Sequence, residues 1–171
     1  MERGGLQMGE TIGIDRSQAI AAACAYFDAG LLLDQVRSRI AFETESQAAD
    51  SLPRLEAYLR EAIVDDIEKL GFSCRIVPNP IPGGGPFLLA SRIEDESLPT
   101  VLIYGHGDTT LGNPQLWRDG LTPFELVVAD DRWYGRGTAD NKGQHSVNLA
   151  AIEVLLEIKS GRLGLNVKLI I

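Results

Sequence analysis

Val101 to Gly143 reads VLIYGHGDTTLGNPQLWRDGLTPFELVVADDRWYGRGTADNKG, and this stretch decides the fold. An apolar run, Val101-Leu102-Ile103-Tyr104, breaks at Gly105 and delivers His106 and Asp108. A second glycine-punctuated turn, Gly135-Arg136-Gly137, delivers Asp140. Nowhere else in the chain does a histidine stand so close to acids and glycines at the end of a strand pattern. Residues two apart on an extended strand point to the same side. His106 and Asp108 therefore address one point in space if the extended geometry persists past Gly105. Gly105 and Gly107 carry no side chain and leave room for a ligand or another backbone to approach. Imidazole and carboxylate are the ligand set for zinc where thiolates are absent. Asp140, arriving from a separate loop, offers a further oxygen. Taken alone, a His-x-Asp pair at a strand end is also the signature of a hydrogen-bonded surface pair. Gly135-Arg136-Gly137 alone reads equally well as a hairpin exit.

The combination is more specific. Tyr104-Gly-His106-Gly-Asp108, then Trp117, Pro123-Phe124 and Tyr134-Gly-Arg-Gly-Thr-Ala-Asp140-Asn-Lys-Gly143 resembles the aminoacylase, carboxypeptidase and dipeptidase family of co-catalytic zinc hydrolases. Acetylornithine deacetylase, succinyl-diaminopimelate desuccinylase and carnosinase belong to that family. The resemblance runs from Leu31 to the end of the chain and is most specific between Val101 and Gly143. It implies that His106 ligates one zinc and that Asp140 bridges two through its two oxygens. It implies that Asp108 is the catalytic-site carboxylate that orients the His106 ring and raises its basicity. It also implies a cis peptide between Asp140 and Asn141. The cofactor implied is zinc, two ions in the complete enzyme, with cobalt or manganese left open. The reaction implied is metal-assisted hydrolysis of a peptide or N-acyl amino acid with a free carboxylate, with the metal pair lowering the pKa of a bound water.

In the family the strand corresponding to Leu165–Ile171 runs into a Glu-Glu pair, general base first and zinc ligand second. Neither is present before Ile171. The expectation is therefore that residues 15–171 form the N-terminal portion of a longer catalytic domain, inactive in isolation, with homodimerisation open for the full-length protein. The alternative is a truncated, non-catalytic metal-binding or scaffold fragment. A phosphate-binding protein is disfavoured, because the triple glycine Gly83-Gly84-Gly85 is not followed by Gly-Lys-Ser/Thr.

The rest of the chain fits an α/β fold. The net charge of -8 argues against nucleic-acid binding, which needs a basic face. No apolar run approaches the roughly 20 residues of a membrane span. Residues 1–14 are glycine-rich and lack the apolar core of a signal peptide, so a frayed N-terminus and a cytoplasmic location are the expectations. Cys24 and Cys74 form no C-x-x-C pair and read as buried or incidental thiols.

Helices are expected over Arg16–Phe27, Leu31–Phe42, Ser51–Leu70 and Asn141–Lys159. The third carries the stripe Leu55, Leu59, Ile63, Ile67 and Leu70. The last is expected to bury Val147, Ala150, Ala151, Val154, Leu155 and Ile158. Strands are expected over Phe72–Val77, Phe87–Ile93, Thr100–Tyr104 and Leu165–Ile171, with a hairpin turning at Asp130-Asp131. The alternation predicts a three-layer arrangement, a mostly parallel sheet with helices on both faces, incomplete in this chain. Thr100–Tyr104, being wholly apolar, is expected to be covered on both sides. Glu43-Thr44-Glu45-Ser46 reads as a solvated loop and Trp117 as a packed loop anchor. Lys142 either adds a positive field at the helix N-terminus or points to solvent, and His145 reads as an ordinary helix histidine, with a place behind the ligands or on the substrate side as the alternative.

Overall fold

The structure, a computed structural model, describes residues 15–171. The expectation for residues 1–14 lies outside them. Helix α1 spans Arg16–Asp28 and starts at Asp15, whose carboxylate accepts from the Ser17 amide at 3.4 Å. Gly30, with φ at +79°, turns the chain into α2, Leu31–Ile40. The expected third helix is one continuous rod in three parts. Ser51–Ala57 (α3) is α-helical, Tyr58–Val64 is π-helical, and Asp65–Lys69 (α4) is α-helical again. Its stripe is buried at Leu55, Leu59, Ile63 and Ile67, as the spacing predicts.

The strands are β1 (Ser73–Val77), β2 (Phe87–Arg92), β3 (Thr100–Tyr104), β4 (Val127–Ala129), β5 (Arg132–Tyr134) and β6 (Asn166–Ile170). β4 and β5 form the expected hairpin, with Asp130 in its turn at φ +57°. The other four make one sheet in the order β1-β2-β6-β3. β1 pairs with β2 and β2 with β6 in antiparallel fashion, and only β3 and β6 run parallel. The α/β class holds, but the sheet is mixed rather than mostly parallel. β6 enters between β2 and β3, so its direction is set by a long-range pairing that local periodicity does not encode.

Register places Cys74, Ile76, Leu88, Ala90, Ile103, Val167 and Leu169 on one face, where they pack against Tyr58, Leu59, Ile63, Ile67, Leu149 and Ile152. The opposite face carries Leu89, Ile170, Leu102 and Tyr104, and the last two are 69% and 68% exposed. Among the described residues the helices therefore lie on one face. The apolar run of β3 is not covered on both sides among the described residues, since the side chains on its second face stay exposed. No single helix there is long and apolar enough to cross a membrane.

Helix α5, Lys142–Ile158, lies between the sheet and the α1–α2 pair. Its buried side differs from the expected one. Ala150 and Val154 are buried, but Val147 is exposed, and His145, Ser146, Leu149 and Ile152 take the inner positions instead. The apolar residues alone do not define this stripe, because buried polar side chains share it. Arg39 supplies their neighbour. Fully buried, it donates to Ser146 Oγ at 2.7 Å and pairs with Asp66 at 2.9 Å.

Candidate metal centre

The β3–β6 ladder extends one residue beyond β3, with the Gly105 amide donating to the Ile170 carbonyl at 2.9 Å. The chain then leaves the sheet and places His106 beyond the strand's C-terminal edge. Asp140 arrives just before α5, followed by a cis peptide to Asn141. His106, Asp108 and Asp140 come together. His106 Nδ1 lies 3.0 Å from Asp108 Oδ1, and Nε2 lies 3.0 Å from Asp140 Oδ1.

This arrangement has a chemical consequence. A carboxylate only accepts, so Nδ1 carries the proton and donates to Asp108. The Nε2 lone pair then faces a second carboxylate oxygen. Two acceptors at that separation require a cation between them, either a proton or a metal ion. A neutral imidazole whose far nitrogen is anchored by a carboxylate is the arrangement that metal-ligating histidines use. The donor set therefore fits a metal as far as it goes. Among the described residues no group of three or more His, Cys, Asp or Glu side chains converges on one point. The front of the site is open, with the His106 side chain 32% and that of Asp140 82% exposed. A cavity of about 280 Å³ adjoins it, walled by Leu55, Leu59, Phe87 and Tyr104.

The back of the site is closed. The space left by Gly105 and Gly107 takes neither ligand nor backbone but side chains. A Cβ on Gly107 would stand 2.3 Å from Tyr58 Cε1, and one on Gly105 would stand 3.1 Å from Asn141 Oδ1. The segment around Thr44 is no solvated loop. Thr44 is fully buried and donates to the Gly107 carbonyl at 2.6 Å, and the Thr109 amide donates to the Thr44 carbonyl at 2.8 Å. Glu45 accepts from the Gly112 amide at 2.6 Å.

Lys142 does not reach solvent either. It is fully buried, donates to the Phe42 carbonyl at 2.7 Å, and lies 4.9 Å from the centre of the Tyr58 ring. Burial pushes it down to about 7, against the pull of Asp108. His145 is likewise fully buried, with Tyr58 Oη 2.6 Å from Nε2 and Asn141 Oδ1 3.2 Å from Nδ1. Burial pushes it down to about 3, and Arg39, Lys142 and His106 act in the same direction. Trp117 is the expected anchor, donating to the Gly112 carbonyl at 2.8 Å under the Arg136 guanidinium. Cys24 is exposed and Cys74 half-buried, and neither is paired.

Tyr58 and Arg39 escaped the sequence reading, which took Thr44 for a solvated residue and Asn141 for the partner of Asp140 in a cis peptide. Tyr58 left a signal there: it follows Leu55 by three positions and so falls on the buried side of its helix.

The class is given by the fold. The chain superposes on human carnosine dipeptidase 1 with a TM-score of 0.74 at 25% identity, covering 90% of this chain and 33% of that one. It also superposes on an M20 family metallo-carboxypeptidase from Sulfolobus solfataricus, with a TM-score of 0.66 at 28% identity over 81% of this chain and 30% of that one. It is an α/β chain of the peptidase catalytic-domain type. The sequence points the same way: residues 102–171 match the model described as Peptidase family M20/M25/M40. The mouse Beta-Ala-His dipeptidase is 33% identical over 136 residues, which are 76% of this chain and 25% of that protein. The Cysteinylglycine-S-conjugate dipeptidase of Corynebacterium striatum is 43% identical over 70 residues, 40% of this chain and 15% of that protein. The chain thus spans a quarter or less of these two relatives.

Proposed function

We propose that residues 15–171 are the N-terminal portion of the catalytic domain of a zinc-dependent peptidase or N-acyl amino acid amidohydrolase. His106 and Asp140 are the metal ligands in this reading, and Asp108 is the carboxylate that orients the His106 ring. The observation that carries it is the His106 imidazole held between two carboxylate oxygens, each at 3.0 Å, at the open end of a sheet. The family match and the dipeptidase relatives support the same chemistry.

A bound metal ion supplies Lewis-acid polarisation and a water of lowered pKa. The chain's own contribution is to hold that ligand set ready. Asp108 keeps the proton on Nδ1, so that Nε2 presents a lone pair. Asp140 offers its carboxylate from the other side without burying it. The apolar walls at Leu55, Leu59, Phe87 and Tyr104 suit the body of a small peptide. The relatives' names make a dipeptide the first substrate to try.

Titration of the chain with zinc chloride, beside an Asp140→Ala variant, tests this. Saturable binding that weakens at least about tenfold in the variant supports the reading. A wild-type chain that takes up no zinc overturns it. Zinc uptake without hydrolysis, in a protein extended to the relatives' full length, favours a non-catalytic scaffold instead.

A further inference from the structure

We propose that Tyr58 and His145 are positioning residues for His106, acting through the Asn141 carboxamide that grips the His106 backbone. The inference rests on reading His106 as a metal ligand. It adds two residues, 87 positions apart in sequence, that reach His106 through Asn141 and not by a hydrogen bond of their own.

The chain of hydrogen bonds has one self-consistent assignment. The His106 backbone amide lies 3.1 Å from Asn141 Oδ1, and a backbone amide only donates. The atom facing it is therefore the carboxamide oxygen, with the nitrogen directed at Gln144 Oε1. His145 Nδ1, 3.2 Å from the same oxygen, must then carry its proton and donate. His145 Nε2 is left as a lone pair, and the Tyr58 hydroxyl at 2.6 Å donates to it. Each group has the one role that its neighbour leaves open.

The relay is also packed against what it holds. Tyr58, His145 and Asn141 are all buried. The face of Gly105 meets Asn141 and His145, and that of Gly107 meets the Tyr58 ring. The two glycines that bracket His106 thus rest on the relay, which leaves the turn little room to tilt. Tyr58 also opens the π-helical segment, a local widening that recurs at functional sites. A histidine that merely filled space would need none of this directionality, and a leucine would serve as well.

The experiment uses the full chain with 15N-labelled histidine and backbone, in wild type, Tyr58→Phe, His145→Leu and His145→Asn. Tyr58→Phe keeps the ring and removes the hydroxyl. His145→Leu keeps the bulk and removes both contacts, whereas His145→Asn restores a donor toward Asn141. Two readouts are metal-free: which ring nitrogen of His145 carries the proton, from long-range proton–nitrogen correlation, and the exchange rate of the His106 amide. The third is zinc affinity by chelator competition.

The expected result in wild type is a proton on Nδ1 and a protected His106 amide. His145→Leu should speed that exchange about five- to tenfold, as the loss of one net hydrogen bond allows. It should weaken zinc about tenfold, and His145→Asn should recover most of both. Tyr58→Phe should let the second tautomer appear. A proton on Nε2 in wild type overturns the assignment whatever the variants do. Unchanged exchange and unchanged zinc affinity in a folded His145→Leu overturn the positioning role. If wild type binds no zinc, the proposed function falls, and the relay is still judged on tautomer and exchange.

Discussion

His106 and His145 are the chain's two histidines, and they stand on either side of one carboxamide. His106 offers its ring to solvent and has a carboxylate oxygen at each nitrogen. His145 is sealed from solvent, with a phenol at one nitrogen and an amide oxygen at the other. The first environment sets a carboxylate oxygen against each ring nitrogen, that of Asp140 on the side where a metal cation would be held. The second disfavours a charged ring, because burial strips it of water and Arg39, Lys142 and His106 act in the same direction. The same residue type is made a candidate ligand in one place and a neutral hydrogen-bond link in the other, by its neighbours alone.

The strongest way to break this comparison is to move the wall between the two rings. Gly107→Ala adds a methyl group 2.3 Å from Tyr58 Cε1, inside a packed interior. The phenol ring has to shift, which disturbs its contact with His145. We expect a loss of about 3 kcal/mol, the upper end of overpacking costs, read by thermal or urea unfolding. A variant as stable as wild type would show that Tyr58 is not held against the His106 turn.

A change of pH sharpens the same contrast. His145 in the folded chain sits near 3, against an ordinary value of 6.5. Above pH 7 the ring is neutral whether the chain is folded or not, and nothing is lost. As pH falls below 6.5 the unfolded chain binds a proton that the folded chain refuses, so stability falls with pH. Between pH 7 and pH 5 the loss from this group is about 2 kcal/mol. Lys142, held near 7, has the same sign but acts above pH 7, where stability rises with pH toward the lysine's ordinary value. His145→Asn should flatten the slope from pH 7 to 5 in denaturant titrations. An equal slope in both proteins would place the titrating group elsewhere.

The two histidines also mark what the amino-acid sequence makes legible. The turn that carries His106 was readable, because a strand pattern, two glycines and an acid two residues on are all local signals. β3 and the hairpin followed from periodicity and turn residues for the same reason. The direction of β6 was not readable, since its partners Leu89 and Tyr104 are distant in sequence and either orientation satisfies its apolar pattern. Nor was the buried face of α5. A lysine, a histidine and a serine sit there because Phe42, Tyr58 and Arg39 meet their polar atoms, and none of these is near in sequence. Polar residues read as solvated until their partners are known, which is why Lys142 and Thr44 were misplaced.

The smallest effect we expect separates Asp108 from both neighbours. Asp108→Asn keeps an oxygen that can accept from His106 Nδ1, so the ring need not turn, and only the negative charge is lost. Asp108 is half-exposed and contributes nothing to the core. The variant should therefore unfold within about 0.5 kcal/mol of wild type, as exposed substitutions do. Zinc affinity should fall about tenfold, because an imidazole without a carboxylate behind it is a poorer donor. That pattern, affinity lost with stability kept, is the inverse of the one expected for Gly107→Ala. An unchanged affinity would make Asp108 and His106 the surface pair that a His-x-Asp motif also describes. Asp140 would then be the only one of the three residues whose role depends on the metal.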